Sequence, residues 1–307
     1  MAEPVALAAL AIDVAVGWPA WLYARVGHPV GGIARVIGAL EKRWNRRGLP
    51  RRLLGVATIA IVVALTVVVA VFAERSVRAL GLGWVGVAVL AWPGLAQRSL
   101  YAHVQPVAVG LARGDLLAAR RAVAMIVGRD TATLDDAGVA RAAIESLAES
   151  FCDGISAPLF WLLVGGLPGL WAHKAINTAD SLIGHREEKW RDFGWAAARL
   201  DDFANWIPAR IGAVLICVAG AGGWRVMWRD ARNHASPNAG WTEAAMAGVL
   251  GVRLAGPIAY DGVIADKFWI GNGRVAACAD DVRRALSVYG RACGLLWILA
   301  GIAAWAS

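Results

Sequence analysis

Charge is scarce in this chain: 18% of its 307 residues are Asp, Glu, Lys or Arg, against 58% hydrophobic, and the mean hydropathy is +0.53. That balance excludes an ordinary soluble domain, in which roughly a quarter of residues carry charge. Cysteine is sparse too. The four present, Cys152, Cys217, Cys278 and Cys293, show no CxxC spacing and the five histidines are scattered, so neither a zinc site nor a disulfide framework is indicated. No GxxxxGK[ST] sequence occurs, which excludes an ordinary P-loop; residues 166–174 only mimic one. Gly81, Gly83 and Gly86 satisfy GxGxxG, but in an apolar stretch with no preceding strand, where close helix packing explains them better. Glu3 and Asp13 come before the first basic residue, Arg25, so the first apolar stretch lacks the positive flank of a cleaved signal peptide and reads as a retained helix.

What the chain has is long apolar runs. Residues 53–73 are uncharged and rich in Val, Ile, Leu and Ala, enough for a helix of roughly 30 Å, the thickness of a bilayer core. Candidate membrane segments are 5–22, 53–73, 80–96, 155–172, 207–224 and 292–306. The expected fold is all-α, a single polytopic integral membrane domain with helical cytoplasmic loops. Arg25, Arg35, Lys42, Arg43, Arg46, Arg47, Arg51 and Arg52, against Glu41 alone, place the first loop in the cytoplasm. Later loops are also basic, and they cannot all be cytoplasmic if every segment crosses. One segment is therefore expected to be re-entrant, and 155–172, interrupted by Gly165, Gly166, Pro168 and Gly169, is the candidate. Residues 113–127 and 135–151 read as helices outside the membrane, the second capped by Asp135 or Asp136, and 247–273 reads as loop and turns. The net charge of +8 sits mostly in loops and points to a lipid bilayer as partner, not to nucleic acid.

Three clusters carry chemistry. Glu145, Glu149 and Asp153 are spaced i, i+4, i+8, which on a helix lines up three carboxylates suited to Mg²⁺ or to a basic side chain from elsewhere. A solvated acidic face would share that spacing. Asn177, Asp180, His185, Arg186, Arg191, Asp192, Arg199, Asp201, Asp202, Asn205 and Arg210 mix acids, amides and guanidinium forks, fitting either a phosphorylated ligand or a structural ion-pair network. In the third, Asp230, Arg232, His234, Ser236, Asn238 and Glu243, residues 236–240 read as a turn opening a helix, whose amides suit an anion or simply a cap. Asp13 reads as an intramembrane or interfacial carboxylate.

These blocks, in order, resemble the adenosylcobinamide-phosphate synthase (CobD/CbiB) family over roughly residues 10–290. The resemblance is carried by Asp13 with Gly17 and Pro19, by His28-Pro29-Val30, and by Gly128-Arg129-Asp130-Thr131. It continues through the Glu145/Glu149/Asp153 stripe, Asn177-Thr178 with Asp180-Ser181, and Ala198-Arg199-Leu200-Asp201-Asp202. Asn205-Trp206-Ile207-Pro208-Ala209-Arg210, Asp230-Ala231-Arg232 and Ser236-Pro237-Asn238-Ala239-Gly240 complete it. Departures are Trp18 in place of an acid, Ser150 and Glu187 in place of Asn, and Thr242 in place of Pro.

The resemblance implies an ATP-dependent ligase of the cytoplasmic membrane, its active site facing the cytoplasm. It would join adenosylcobyric acid to (R)-1-aminopropan-2-ol or its O-phosphate, with cobalt present only in the corrinoid substrate. It implies Mg²⁺ at Glu145, Glu149 and Asp153, with Asp180 and Asp201 or Asp202 for a second ion. Arg129, Arg186, Arg199, Arg210 and Arg232 are candidate phosphate or propionate clamps, and Asn177, Asn205, Ser236 and Asn238 further binding groups. His28, His185, His234 or a carboxylate such as Asp202 would take the amine proton. Other cobalamin-assembly enzymes or a second copy of the chain are possible partners. A membrane regulator on the same scaffold, as in the AmpE-like branch, and a corrinoid transporter are the rival readings. The regulator would not need so dense a set of acids and arginines, and a transporter would keep polar groups near midplane.

Overall fold

The computed structural model describes residues 3–256, 258–260, 263–265 and 268–306. In chain order the helices are α1 (Val5–Val16), α2 (Ala20–Val26), α3 (Pro29–Trp44), α4 (Arg51–Ala79), α5 (Gly83–Ala91), α6 (Gln97–Ala112) and α7 (Leu116–Ala124). There follow α8 (Asp136–Phe151), α9 (Ala157–Ile183), α10 (Trp195–Ala204), α11 (Trp206–Ala219), α12 (Trp224–Asp230), α13 (Ala239–Leu250) and α14 (Ala279–Ala306). Strand is confined to two small antiparallel ladders, β1 (Leu254–Ala255) with β4 (Trp269–Ile270), and β2 (Ile258–Tyr260) with β3 (Val263–Ala265). Three stretches are long and apolar enough to cross a membrane, Arg51–Ala79, Asp136–Ile183 and Ala279–Ala306. Two further pairs, α1 with 20–44 and α10 with α11, bring the number to as many as five among the described residues. The protein is an all-α polytopic membrane protein.

Two of the expected segments do not form single helices. Segment 5–22 breaks at Gly17-Trp18-Pro19, where Gly17 takes φ 61°, and the chain turns through 107° into 20–44. The 12 residues of α1 reach only about 18 Å, short of a bilayer core. Segment 80–96 yields just the nine-residue α5, because Gly81 and Gly83 take positive φ before it and Pro93 opens a 3₁₀ turn after it. Segment 207–224 stops at Ala219 and 292–306 starts earlier, at Ala279. Segment 155–172 is interrupted inside, as its glycines lead one to expect: Gly166 sits at φ 62°, ψ −158° within α9. The region 247–273, expected to be loop, begins with the end of α13 and holds both ladders.

The chain divides into two compact units. The first comprises Met1–Ala96, Ala157–Asn205 and Ala300–Ser307. Its core joins Ile37 of α3, Ile59 and Val62 of α4, Ala175, Ala179 and Ile183 of α9, Phe193, and Ala197 of α10. Gly55 lets α4 close on this core, since a Cβ there would stand 1.9 Å from the Phe193 carbonyl oxygen. The second unit comprises Gln97–Ser156 and Trp206–Leu299. Its centre is made of small side chains, Ala140, Ala142, Ala143 and Ala148 of α8 and Ala244, Ala245 and Ala247 of α13, all buried. Leu147 and Ile144 are fully buried with them. A π-helical turn, Cys152–Ser156, follows α8.

Candidate functional site

In the second unit the Ala-rich α8 and α13 each carry acids among apolar neighbours. Asp135 caps α8 through the Gly138 N–H at 2.7 Å, setting the phase that brings Glu145 and Glu149 to one face. The loop before α8 is tied down where Ser146 Oγ donates to the Ile126 carbonyl at 2.8 Å. Arg129, on that loop, donates through Nη2 to Glu145 Oε2 in an ion pair only 13% and 11% exposed. The other Glu145 oxygen accepts the Ala255 N–H at 2.8 Å. These groups open on a cavity of about 260 Å³ lined by Arg129, Glu145, Glu149, His234, Glu243 and neighbouring backbone.

His234 is positioned by the turn before α13. Its Nδ1 accepts the Ser236 N–H at 3.0 Å, so the neutral ring carries its proton on Nε2, which faces Glu243 Oε1 at 3.7 Å. Glu243 itself is 3% exposed. Ser236 Oγ accepts the N–H groups of Asn238 and Ala239 at 3.2 and 3.3 Å, capping α13. Arg210 spends its donors on that turn, on Asn238 Oδ1 at 2.5 Å and the Pro237 carbonyl at 3.1 Å, between the rings of Trp206 and Trp241. It is a brace for the turn. Arg232 is exposed in a 3₁₀ turn and outside the cavity lining. Asp230 takes both Arg229 Nε and Nη2 at 2.6 Å and the Gly271 N–H at 2.8 Å. The guanidinium holds its carboxyl below the usual range, against the opposing effect of burial.

Asp153 departs from the stripe that the spacing implied, because it falls in the π-helical turn, whose i→i+5 bonding shifts the phase, and it does not line the cavity. No group of three His, Cys, Asp or Glu side chains among the described residues is disposed to hold a metal ion. With both Glu145 oxygens engaged, an all-protein Mg²⁺ cage does not fit here. The residues present fit instead a Mg²⁺ that keeps waters and phosphate oxygens and takes one or two carboxylates.

The first unit holds a separate chain of polar groups. Asn177 Nδ2 donates to Asp201 Oδ1 at 3.4 Å, Asn205 Nδ2 donates to Asp201 Oδ2 at 3.0 Å, and Asn205 Oδ1 meets His173 Nε2 at 2.9 Å. The amide orientation requires the proton on His173 Nε2, leaving Nδ1, buried and without a hydrogen-bond partner, as a bare acceptor. Asp180 lies within electrostatic reach of Asp201, and Gly184 leaves space for its carboxylate, since a Cβ there would stand 1.9 Å from Asp180 Oδ1. Arg199 pairs at the surface with Asp202 at 3.5 Å. His185 and Arg186 are exposed in the loop after α9, His185 edge-on to Trp190, and His28 caps α3 by accepting the Val30 N–H at 3.2 Å.

One residue of these groups, His173, is outside the clusters read from the sequence. His173 is 1% exposed and shares a helical stripe with Asn177 and Asp180 at i, i+4, i+7, a signal the scatter of histidines obscured. Glu243 belongs to the third cluster read from the sequence, and the structure adds its partner, His234 Nε2 at 3.7 Å.

Many apolar helices with shielded clusters of acids, amides and arginines define a membrane protein built around polar chemistry. The comparisons give that class its family. The model of the CobD/CbiB protein family matches residues 6–289, and the chain belongs to this family. It is 50% identical over 302 residues to the cobalamin biosynthesis protein CobD of Rhodobacter capsulatus, covering 96% of this chain and 95% of that one. It is 48% identical over 306 residues to the CobD of Sinorhizobium fredii, covering 95% and 94%. With CobD of Brucella anthropi it shares 47% identity over 296 residues, 92% and 90% of the two chains. No solved structure matches it. Membership assigns the chain to cobalamin biosynthesis.

Proposed function

We propose that the chain is the ATP-dependent ligase that joins a propionate carboxyl of adenosylcobyric acid to the amine of (R)-1-aminopropan-2-ol O-phosphate, giving adenosylcobinamide phosphate. The observation that carries this reading is the cavity in which Arg129, Glu145, Glu149, His234 and Glu243 converge. At about 260 Å³ it falls below the roughly 300–1,000 Å³ that drug-sized ligands occupy, so it suits a small amino alcohol or a phosphate group while the corrin ring lies outside.

A carboxylate and an ammonium form a salt rather than an amide, so the carboxylate must gain a leaving group. One of its oxygens attacks the γ-phosphorus of ATP and ADP departs; the amine then attacks the acyl carbon and inorganic phosphate departs. Arg129, oriented by Glu145, is the anion clamp for this exchange. Neutral His234 presents an N–H at Nε2 and so lacks a lone pair there; Glu243, facing it, is the proton acceptor for the amine. Glu149 is the carboxylate we assign to Mg²⁺, which supplies charge neutralisation of the phosphates. Asn177, Asp180, Asp201 and Asn205 are a second binding group of the first unit. Basic residues 42–52 favour a cytoplasmic position for that segment.

The test is to incubate purified protein with adenosylcobyric acid, ATP, Mg²⁺ and aminopropanol phosphate, following ADP and the corrinoid mass together. ADP formed in step with the condensed corrinoid is expected. Folded protein that turns over no ATP with verified substrates would overturn the reading.

A further inference from the structure

We propose that the start of α4 is a binding site for the headgroup of an anionic phospholipid. The argument begins with depth. The uncharged run 53–73 spans about 31 Å as a helix, the thickness of the hydrocarbon core, so Arg52 and Arg51 stand at the level where lipid phosphates lie. Arg47, Gly48, Leu49, Pro50, Arg51 and Arg52 line an open cavity of about 530 Å³, with Glu188 and Asp192 also on its wall.

The cavity is built, not a loose basic tail. Arg51 is held by Asp192 at 3.3 Å and the Glu188 carbonyl at 3.5 Å. Arg52 lies over the Trp195 ring at 4.0 Å, and Asn45 donates to the Lys189 carbonyl at 3.0 Å, fixing the loop against 188–195. Of the three guanidinium groups only Arg51 has an ion-pair partner among the described residues. Lys42, Arg43 and Arg46 add positive charge close by in sequence, while Glu41 is opposed by Lys189 at 3.4 Å. Leu49 and Leu53, 43% and 71% exposed, flank the cations with apolar surface that acyl chains would cover. At the other end of the same helix Arg78 donates to both Glu3 oxygens at 2.7 and 2.6 Å and pairs with Glu74 at 3.1 Å. Arg75 is then the one arginine of that last stretch without an ion-pair partner among the described residues, whereas Arg47 and Arg52 stand together in one cavity at the start of α4.

A headgroup phosphate would sit between Arg47 and Arg52 with its glycerol towards Leu53. Each cation near a charged membrane surface is worth about fivefold in binding, so removing both lowers retention by roughly 25-fold.

The experiment is native mass spectrometry of the full chain released from nanodiscs of phosphatidylcholine containing phosphatidylglycerol. Wild type should keep phosphatidylglycerol preferentially; Arg47→Gln/Arg52→Gln should lose the preference; Arg47→Lys/Arg52→Lys should keep it. Arg75→Gln/Arg121→Gln, removing equal charge elsewhere, should behave as wild type. Single Arg47→Gln, which touches no ion-pair partner, replaces the double variant if that fails to fold. Retention unchanged in the glutamine variant, equal loss in the Arg75/Arg121 control, or displacement of the lipid by millimolar inorganic phosphate would overturn the proposal.

Discussion

Replacing Arg129 with methionine strands the Glu145 carboxylate in a site where the pair is only 13% and 11% exposed. Breaking a fully buried ion pair from one side costs about 3–5 kcal/mol. Here the remaining exposure and the Ala255 N–H, 2.8 Å from Glu145 Oε1, soften the loss, and about 2–3 kcal/mol is expected. Glu145→Leu strands the guanidinium and should cost a similar amount. The double variant Arg129→Met/Glu145→Leu removes both charges and should recover about 2 kcal/mol of the summed loss, roughly 30-fold in the unfolding constant. Reversible unfolding in mixed micelles measures all four proteins, and a parallel ligase assay should find all three variants inactive, because recovered stability does not restore the anion clamp. A double variant as unstable as the two singles added together would show that the pair is not coupled and refute the reasoning.

Three further predictions address other contacts. Asp230 has a folded-state pKa below its unfolded value near 3.8, so it adds stability above that pH which is lost as pH falls through the folded pKa; Asp230→Asn should flatten acid destabilisation below about pH 4, and an unchanged acid limb would count against this. Gly55→Ala puts a Cβ 1.9 Å from the Phe193 carbonyl oxygen and should lower stability by about 1–3 kcal/mol, whereas Gly31→Ala in open space on α3 should be neutral or slightly stabilising, as paired thermal melts would tell. Glu243→Gln should lower kcat at least about 100-fold with little change in KM for the amine; His234 variants losing activity while Glu243→Gln keeps it would reverse the assignment of the base.

The parts of the fold legible in the sequence are those where one local rule acts without competition. The uncharged 53–73 run and the Asp135 cap of α8 are of this kind. In segments 5–22 and 80–96 apolar length competes with backbone breakers, and Gly17 with Pro19, and Gly81 and Gly83 with Pro93, prevail. The acid stripe was two-thirds legible. Glu145 and Glu149 share the cavity, but spacing arithmetic assumes an unbroken α-helix, and nothing local in Cys152-Asp153-Gly154 announces a π-helical turn. Long-range partners were beyond reach: Arg129 with Glu145 and His173 with Asn205 are made by tertiary packing across 16 and 32 residues of chain. The bracing of the 236–238 turn by Arg210 is of the same kind, since its partners Asn238 and Pro237 lie 28 and 27 residues away.

The alanine packing of α8 and α13 bears on how the cavity can be altered by evolution or design. Glu145, Glu149 and Glu243 stand on helices whose neighbouring positions Ala148, Ala244 and Ala247 are closed to solvent and do not line the cavity. A larger residue at any of them displaces the acids before it reshapes the cavity. Latitude lies in the loop 126–131 and the turn 234–238, which line or support the cavity without being wedged between helices. A lineage adapting to a different amino alcohol would therefore leave its mark in those two short segments, while the alanines stayed fixed.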